Sequence, residues 1–134
     1  MGPGISAGDR MMAQKNRTKF HLDVETKRNE NYRKVVYTGA FQLVLMSLEP
    51  GQAIGLETHD HTDQFFRIEE GRVTFKIGDK EPFTMKDGDS VIVPAGTKHN
   101  VKNPDAHLRA KLYTIYAPPQ HKPGTLQPEK PKKD

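Results

Sequence analysis

Short β-forming stretches separated by turn signals run along residues 32–117, and this spacing limits the fold more than any other feature of the chain. Val73, Phe75 and Ile77 alternate with polar residues, which is the period-two pattern of a half-buried strand. A long amphipathic helix pattern is absent, and the only helical candidate, residues 15–28, is very polar. Many short strands at a regular turn spacing are typical of an all-β barrel or sandwich, which is the fold class we predict.

The strand boundaries follow from the turn residues between them. Glu49-Pro50-Gly51 and Gly78-Asp79 are turn signals, and Pro94 ends a strand because it has no amide hydrogen to donate to a ladder. The expected strands are residues 33–37, 40–48, 54–61, 64–69, 73–77, 83–85, 90–93, 99–101 and 108–116. The phenylalanines expected in the core are Phe41, Phe65, Phe66, Phe75 and Phe83.

The 134 residues suffice for one domain with a modest core. We divide the chain into a flexible or partly ordered N-terminal segment (1–31), a β-barrel domain (32–117) and a Pro/Lys-rich tail (118–134) expected to be extended. The net charge of +4 comes from the two flanking segments, whereas residues 35–117 hold nine basic and eleven acidic residues. No basic stripe interleaved with aromatics lies in the domain, so nucleic acid is not an expected partner.

The absence of cysteine excludes disulfides and thiolate metal ligands. No apolar run approaches the roughly 20 residues that a membrane helix needs, and no signal peptide is visible. We therefore expect a cytoplasmic protein without a membrane partner.

Two stretches, residues 57–64 and 88–103, carry the histidines that indicate a metal site. On a strand, His59 and His61 would point to the same face with their Cα atoms roughly 6 to 7 Å apart. His99, from a distant strand, would complete a set of imidazoles around one ion. Imidazole nitrogens and side-chain oxygens are ligands of divalent transition metals. The alternative interpretation is that these are ordinary surface histidines.

Which oxygen donor accompanies the histidines depends on where the strand alternation is broken. Simple alternation places Glu57, both histidines and Asp63 on one face. A bulge after His61 would instead turn Gln64 inward. In that second case Arg67 points outward, whereas an inward Asp63 would bring Arg67 inward to bind a carboxylate or phosphate.

The motifs resemble those of the cupin superfamily. The second stretch matches fully, with Gly88, Pro94-Ala95-Gly96, His99 and Asn103 at the family spacing. The first matches in part: His59-x-His61 is present and Gly71 closes the motif, but Gln64 stands where the family has an acidic ligand. The likeness covers about residues 35–117 and is greatest to the small single-domain cupins of the mannose-6-phosphate-isomerase-like type.

The resemblance implies a cupin double-stranded β-helix (jelly-roll) barrel with one divalent transition metal ion, Zn, Mn, Fe or Ni, in its mouth. The implied ligands are His59, His61, Gln64 and His99, with Glu57 as a catalytic residue that moves a proton. Glu57 is alternatively a ligand itself, or an acceptor that fixes a histidine tautomer.

The function that follows is a metal-dependent enzyme, isomerase-like or dioxygenase- or decarboxylase-like, acting on a small polar or anionic metabolite. A neutral Gln64 in place of a carboxylate leaves the ion more positive, which favours an anionic substrate. The alternatives are a non-catalytic module that binds a sugar or small acid, and a metal-free barrel. A homodimer is expected by analogy, formed through the strand at Val35-Val36 or through the tail.

Overall fold

The computed structural model describes residues 17–132, so the first half of the predicted N-terminal segment and the last two residues lie outside the described part. Within it, two antiparallel sheets face each other, one in the order β6-β3-β8-β2-β1-β9 and one in the order β5-β4-β7. The strands are β1 (Arg33–Thr38), β2 (Gln42–Leu48), β3 (Asp63–Glu70), β4 (Arg72–Ile77), β5 (Phe83–Lys86), β6 (Ser90–Val93), β7 (His99–Lys102), β8 (Ala110–Ala117) and β9 (Leu126–Gln127). The predicted all-β jelly-roll barrel is confirmed.

The core lies between the inner faces of the two sheets. Phe66 of β3 and Phe75 of β4 meet there edge to face, with ring centroids 5.0 Å apart. Three of the five phenylalanines predicted for the core are not in it. Phe41, in the turn before β2, is 45% exposed, and Phe83, on the edge strand β5, is 38% exposed. Phe65 is half-buried on the outer face, because strand alternation turns it opposite to Phe66.

Every residue of β2 is buried, so both of its faces are covered. The inner face contributes to the core, and the outer face lies under Phe20 and Leu22 of the N-terminal segment. The polar helical candidate forms one short helix, α1 (Leu22–Arg28). Among residues 17–132, no helix is long and apolar enough to cross a membrane.

The tail folds back onto its own domain. Strand β9 pairs with β1 at the edge of the larger sheet, and the Tyr32 amide donates to the Pro128 carbonyl over 3.1 Å. Val35 and Val36 are buried within the same chain, at 2% and 4% exposure. The two features expected to serve a dimer are therefore both used inside one protomer.

Residues 54–61, expected to be a strand, do not form one. The structure has only two isolated bridges in this region, Ala53 to Lys102 and Glu57 to His99. Gly55 has a φ of +110°, which lies outside the β region that a continuous strand requires. A turn at residues 60–61 then interrupts the chain a second time. The break decides where the side chains before β3 point.

Candidate metal centre

A backbone bridge brings the two histidine-containing stretches together. The Glu57 amide donates to the His99 carbonyl and the His99 amide donates to the Glu57 carbonyl, each over 2.9 Å. Residues that exchange both hydrogen bonds lie directly opposite each other, with side chains on the same face. The Gly96 amide also donates to the His59 carbonyl over 2.8 Å, which ties the loop before β7 to the loop before β3.

Three side chains converge at this bridge. One ligand atom from each of Glu57, His59 and His99 lies within 4.8 Å of the other two. The Nε2 atom of His59 is 3.1 Å from Oε2 of Glu57, and the two imidazole centroids are 5.6 Å apart. Since metal–nitrogen and metal–oxygen bonds are about 2.0–2.2 Å long, donors at this spacing can share one ion.

The His99 ring is prepared to be a ligand. Its Nδ1 lies 3.0 Å from the Thr97 carbonyl oxygen. A carbonyl only accepts, so Nδ1 is the protonated nitrogen and Nε2 carries the lone pair. Nε2 is buried and has no hydrogen-bond partner. Burial lowers the pKa of His99, which favours the neutral, coordinating form.

Gln64, like His99, has a buried polar side-chain atom without a hydrogen-bond partner. It is 2% exposed, and its Nε2 donates to Oγ1 of Thr114 over 2.9 Å. The carbonyl oxygen Oε1 is then left buried without a partner. A buried polar atom without a hydrogen bond costs about 1–3 kcal/mol. A bound cation would remove that cost for each atom that it contacts. Gln64 pairs across the sheet with Tyr116, whose ring meets His59, so its amide lies on the side of the barrel where Glu57, His59 and His99 converge, and these residues fit a metal ion.

Asp63, the alternative to Gln64 as the oxygen donor, points away from the interior. Its exposed carboxylate accepts a hydrogen bond from the Ala95 amide over 2.8 Å. Arg67 shares that outer face and lies 3.5 Å from Glu69, in a pair between its Nε and a carboxylate oxygen. Of the two alternatives for β3, the structure adopts the one with Gln64 inward, although a turn rather than a bulge produces it.

His61 is not brought to the three converging side chains. It lies in the turn at residues 60–61 and is exposed. The next residue, Thr62, is 1% exposed, and its hydroxyl donates to the Pro118 carbonyl over 3.1 Å. Two residues that are two positions apart share a face only in a continuous strand. Because a turn interrupts the chain at residues 60–61, this expectation does not hold for His59 and His61.

Three residues beside the cluster are outside the predicted ligand set. Thr114 orients Gln64, Tyr116 meets the His59 ring edge-on with centroids 5.6 Å apart, and His121 contacts Tyr116 from the tail. Alternation along β8 could have found the first two, because Leu112, Thr114 and Tyr116 share the inner face. Nothing in the sequence marks His121.

Aromatic rings line the other side of His99. The ring of Phe66 lies edge-on at 5.9 Å, and that of Phe75 is stacked at 6.5 Å. These rings keep water from the imidazole, and electrostatic interactions strengthen where water is excluded. Asn103, the last residue of the second motif, has a structural role: its buried side-chain amide donates to the carbonyls of Leu48, Glu49 and Leu108.

Comparisons with known proteins agree with this architecture. Residues 44–116 match the family described as Cupin domain. The chain is 45% identical over 116 residues to YrkC of Bacillus subtilis and 39% identical over 110 residues to L612 of Acanthamoeba polyphaga mimivirus, both described as uncharacterized. The crystal structure of BH2720 from Bacillus halodurans is similar with a TM-score of 0.79 and 42% identity, covering 84% of this chain and 89% of that one.

These alignments cover most of this chain but less of its curated relatives. They include 82% of this chain and 62% of YrkC, and 80% of this chain and 69% of L612. The region that matches the cupin domain family, residues 44–116, contains Glu57, His59 and His99.

Proposed function

This chain belongs to the cupin domain family, and we propose on that premise that it binds one divalent transition metal ion through Glu57, His59, Gln64 and His99. We propose further that it is a metal-dependent enzyme, isomerase-like or dioxygenase-like, acting on a small polar or anionic metabolite. The family motif also predicts His61 as a ligand. Its exposed position in the turn at residues 60–61 does not support that prediction.

The observation that carries the proposal is the pair of buried atoms without partners. His99 Nε2 and Gln64 Oε1 are both electron-pair donors, and each is oriented by a hydrogen bond on the other side of its own side chain. Such outer contacts are typical of metal ligands, because they fix the tautomer and the direction of the donor atom. Glu57 and His59 supply the remaining donors.

This ligand set leaves the ion positively charged, which favours an anionic substrate, but less strongly than the neutral set of His59, His61, Gln64 and His99 would. With Glu57 as a ligand, two neutral imidazoles, one amide and one carboxylate leave a divalent ion with a net charge of about +1. The bound ion would supply Lewis acidity toward a substrate oxygen. Around it, the Tyr116 hydroxyl is a group able to donate a hydrogen bond, and Glu57, where it is not itself a ligand, is the group able to accept a proton.

Three further parts of the proposal rest on the sequence and the family. We propose kinship with the mannose-6-phosphate-isomerase-like cupins, a cytoplasmic location and a homodimer. The dimer would have to use surfaces other than Val35–Val36 and β9, which are occupied within the protomer. Light scattering that shows a monomer at micromolar concentration would remove the dimer from the proposal.

Elemental analysis of protein purified without added metal tests the central claim. We expect about one transition metal ion per chain, and a large loss in His99→Ala, His59→Ala and Glu57→Gln. His107→Ala is the matched control, because His107 is exposed in the loop before β8. Wild-type protein without stoichiometric metal, also after incubation with Zn, Mn, Fe and Ni, would contradict the proposal.

Enzyme and binding module are separated by turnover. Metabolite screening of the metal-loaded protein, with His99→Ala as the inactive control, is expected to identify a consumed small acid or sugar derivative. A ligand that co-purifies or binds without being converted would instead support the non-catalytic module.

A further inference from the structure

A row of three buried polar residues crosses the mouth of the barrel. On the inner face of the larger sheet, Gln42 of β2 and Gln64 of β3 both pair with Tyr116 of β8, one from each side. None of the three is more than 2% exposed. Gln64 belongs to the proposed metal centre, and the Tyr116 ring contacts His59. The third member, Gln42, is not a proposed metal ligand, so its burial must have another cause.

Gln42 binds the backbone of the tail. Its Nε2 donates to the His121 carbonyl over 2.8 Å and to the Thr38 hydroxyl over 3.0 Å. Its Oε1 accepts from the amides of Gln120 and His121, over 3.2 and 3.0 Å. All four hydrogen-bonding positions of the amide are therefore used, and the tail is fixed at residues 120–121.

Thr62 fixes the same part of the tail from the opposite side. Its buried hydroxyl donates to the Pro118 carbonyl over 3.1 Å and accepts from the Gln120 side-chain amide over 2.5 Å. Thr62 directly precedes β3, which carries Gln64. Residues 118–121 are thus attached both to β2 and to the segment that leads to the proposed ligand.

The result of this attachment is a defined position for the His121 ring. Its Nε2 lies 3.4 Å from the Tyr116 hydroxyl, and the two rings meet edge to face with centroids 5.3 Å apart. The same Tyr116 ring contacts His59 at 5.6 Å. With the proton on Nε2, His121 donates to the phenol oxygen, and the single phenol proton then points to a different acceptor.

We propose that residues 118–121 form one wall of the metal centre, and that His121 is a positioning residue that orients the Tyr116 hydroxyl toward a carboxylate bound beside His59. The inference rests on the proposed metal site and adds a ligand class and two residues to it. A phenol hydroxyl donating to a carboxylate makes a charge-assisted hydrogen bond, stronger than one between neutral groups.

Acetate binding to the Co²⁺-loaded protein tests the inference, with the visible spectrum of Co²⁺ as the readout. Tyr116→Phe should keep the Co²⁺ content and weaken acetate binding about tenfold or more, since one hydrogen bond to a charged group is lost. His121→Ala should weaken it by about threefold, a loss within the range measured for coupled pairs. Its backbone bonds to Gln42 do not involve the imidazole and remain.

The double variant separates positioning from a general structural effect. If His121 acts through Tyr116, then His121→Ala should have no further effect on acetate binding in the Tyr116→Phe background. His107→Ala is the control and should bind acetate like the wild type. Thermal unfolding of each variant establishes that the affinities are compared between folded proteins.

The possible failures are distinguishable. If the wild-type protein does not bind Co²⁺, both the proposed function and this inference are wrong. A Co²⁺-loaded protein whose spectrum does not respond to acetate, or equal acetate affinity in wild type and Tyr116→Phe, would overturn the inference alone. Equal losses from His121→Ala in both backgrounds would overturn the positioning role.

Discussion

Gln64 and Thr114 lie on the neighbouring strands β3 and β8 and share a hydrogen bond inside the barrel. The Gln64 amide nitrogen donates to the threonine hydroxyl over 2.9 Å, and this contact directs the carbonyl oxygen toward the interior. A glutamine side chain has several rotatable bonds, so without such a contact its oxygen would not be held in one place. Thr114 therefore holds the proposed ligand in one direction.

Thr114→Val should weaken metal binding while changing the shape of the core little. Valine has nearly the same shape but cannot accept the hydrogen bond from Gln64. Loss of an outer contact of this kind typically reduces metal affinity about 10–100-fold. Leaving the buried amide unsatisfied should also lower the free energy of unfolding of the metal-free protein by about 1–3 kcal/mol. Competition titration with a chelator and urea unfolding measure the two effects.

Thr114→Ser is the matched control, because it retains the hydroxyl and removes only a methyl group. We expect it to keep most of the metal affinity that Thr114→Val loses. Equal affinities for Thr114→Val and wild type would show that the orientation of Gln64 does not matter for the metal.

Gln64→Glu should bind a divalent metal ion more tightly. The substitution adds a carboxylate where the structure places an amide oxygen without a partner. Two opposite charges about 4 Å apart interact with about 1 kcal/mol in water and about 4 kcal/mol at an effective dielectric constant of 20. A gain of at least about tenfold in affinity, or about 1.4 kcal/mol, is therefore expected in isothermal titration.

Gln52→Glu serves as the control for the added charge alone. Gln52 is half-buried in the turn after β2, where its side chain accepts from the Glu49 amide. It should leave the metal affinity almost unchanged. If both variants bind metal as the wild type does, Gln64 is not a ligand.

The all-β class was predictable from the sequence because its signals are local and repeated, and the jelly-roll topology was predictable from the resemblance to the cupins. Alternating residues such as Val73, Phe75 and Ile77 specify a half-buried strand, and the turns that follow need no knowledge of the partner strand. A strand was expected at residues 99–101, and the structure has His99 at the start of β7 with a buried side chain, as the resemblance to the cupin motif implies.

The parts that were missed depend on contacts between distant segments. Residues 54–61 look like a strand, but Gly55 and the turn after it leave only bridges, and the position of His61 follows from that break. Likewise, β9 exists because the exposed edge of β1 offers backbone partners to the tail. The buried role of Gln42 depends on the same folded-back tail. Periodicity along one segment contains no information about such pairings.

His99 should make the metal-free protein less stable in acid. Burial lowers the pKa of His99 below its ordinary value, so the unfolded chain binds a proton at a higher pH than the folded chain does. Stability is then greatest above the unfolded pKa of about 6.5 and falls as the pH decreases from there toward the lower folded pKa, by at most about 1.4 kcal/mol per pH unit. Urea unfolding in EDTA between pH 8 and 5 measures the slope.

The variant His99→Gln should flatten this part of the pH profile, and His107→Gln, which changes an exposed histidine, should not. An unchanged profile in His99→Gln would assign the acid sensitivity to other groups.

Gly71→Ala should destabilise the barrel more than Gly78→Ala, although both glycines have positive φ values, +84° and +52°. A Cβ on Gly71 would lie 2.7 Å from the Arg109 carbonyl oxygen, whereas one on Gly78 meets no atom within 4 Å. Gly78→Ala therefore carries only the left-handed backbone strain, about 1–2 kcal/mol. Gly71→Ala adds a backbone clash, and we expect a total of about 2–5 kcal/mol. Urea unfolding compares the two, and equal losses would show that the strand after Gly71 can move away from Arg109 at little cost.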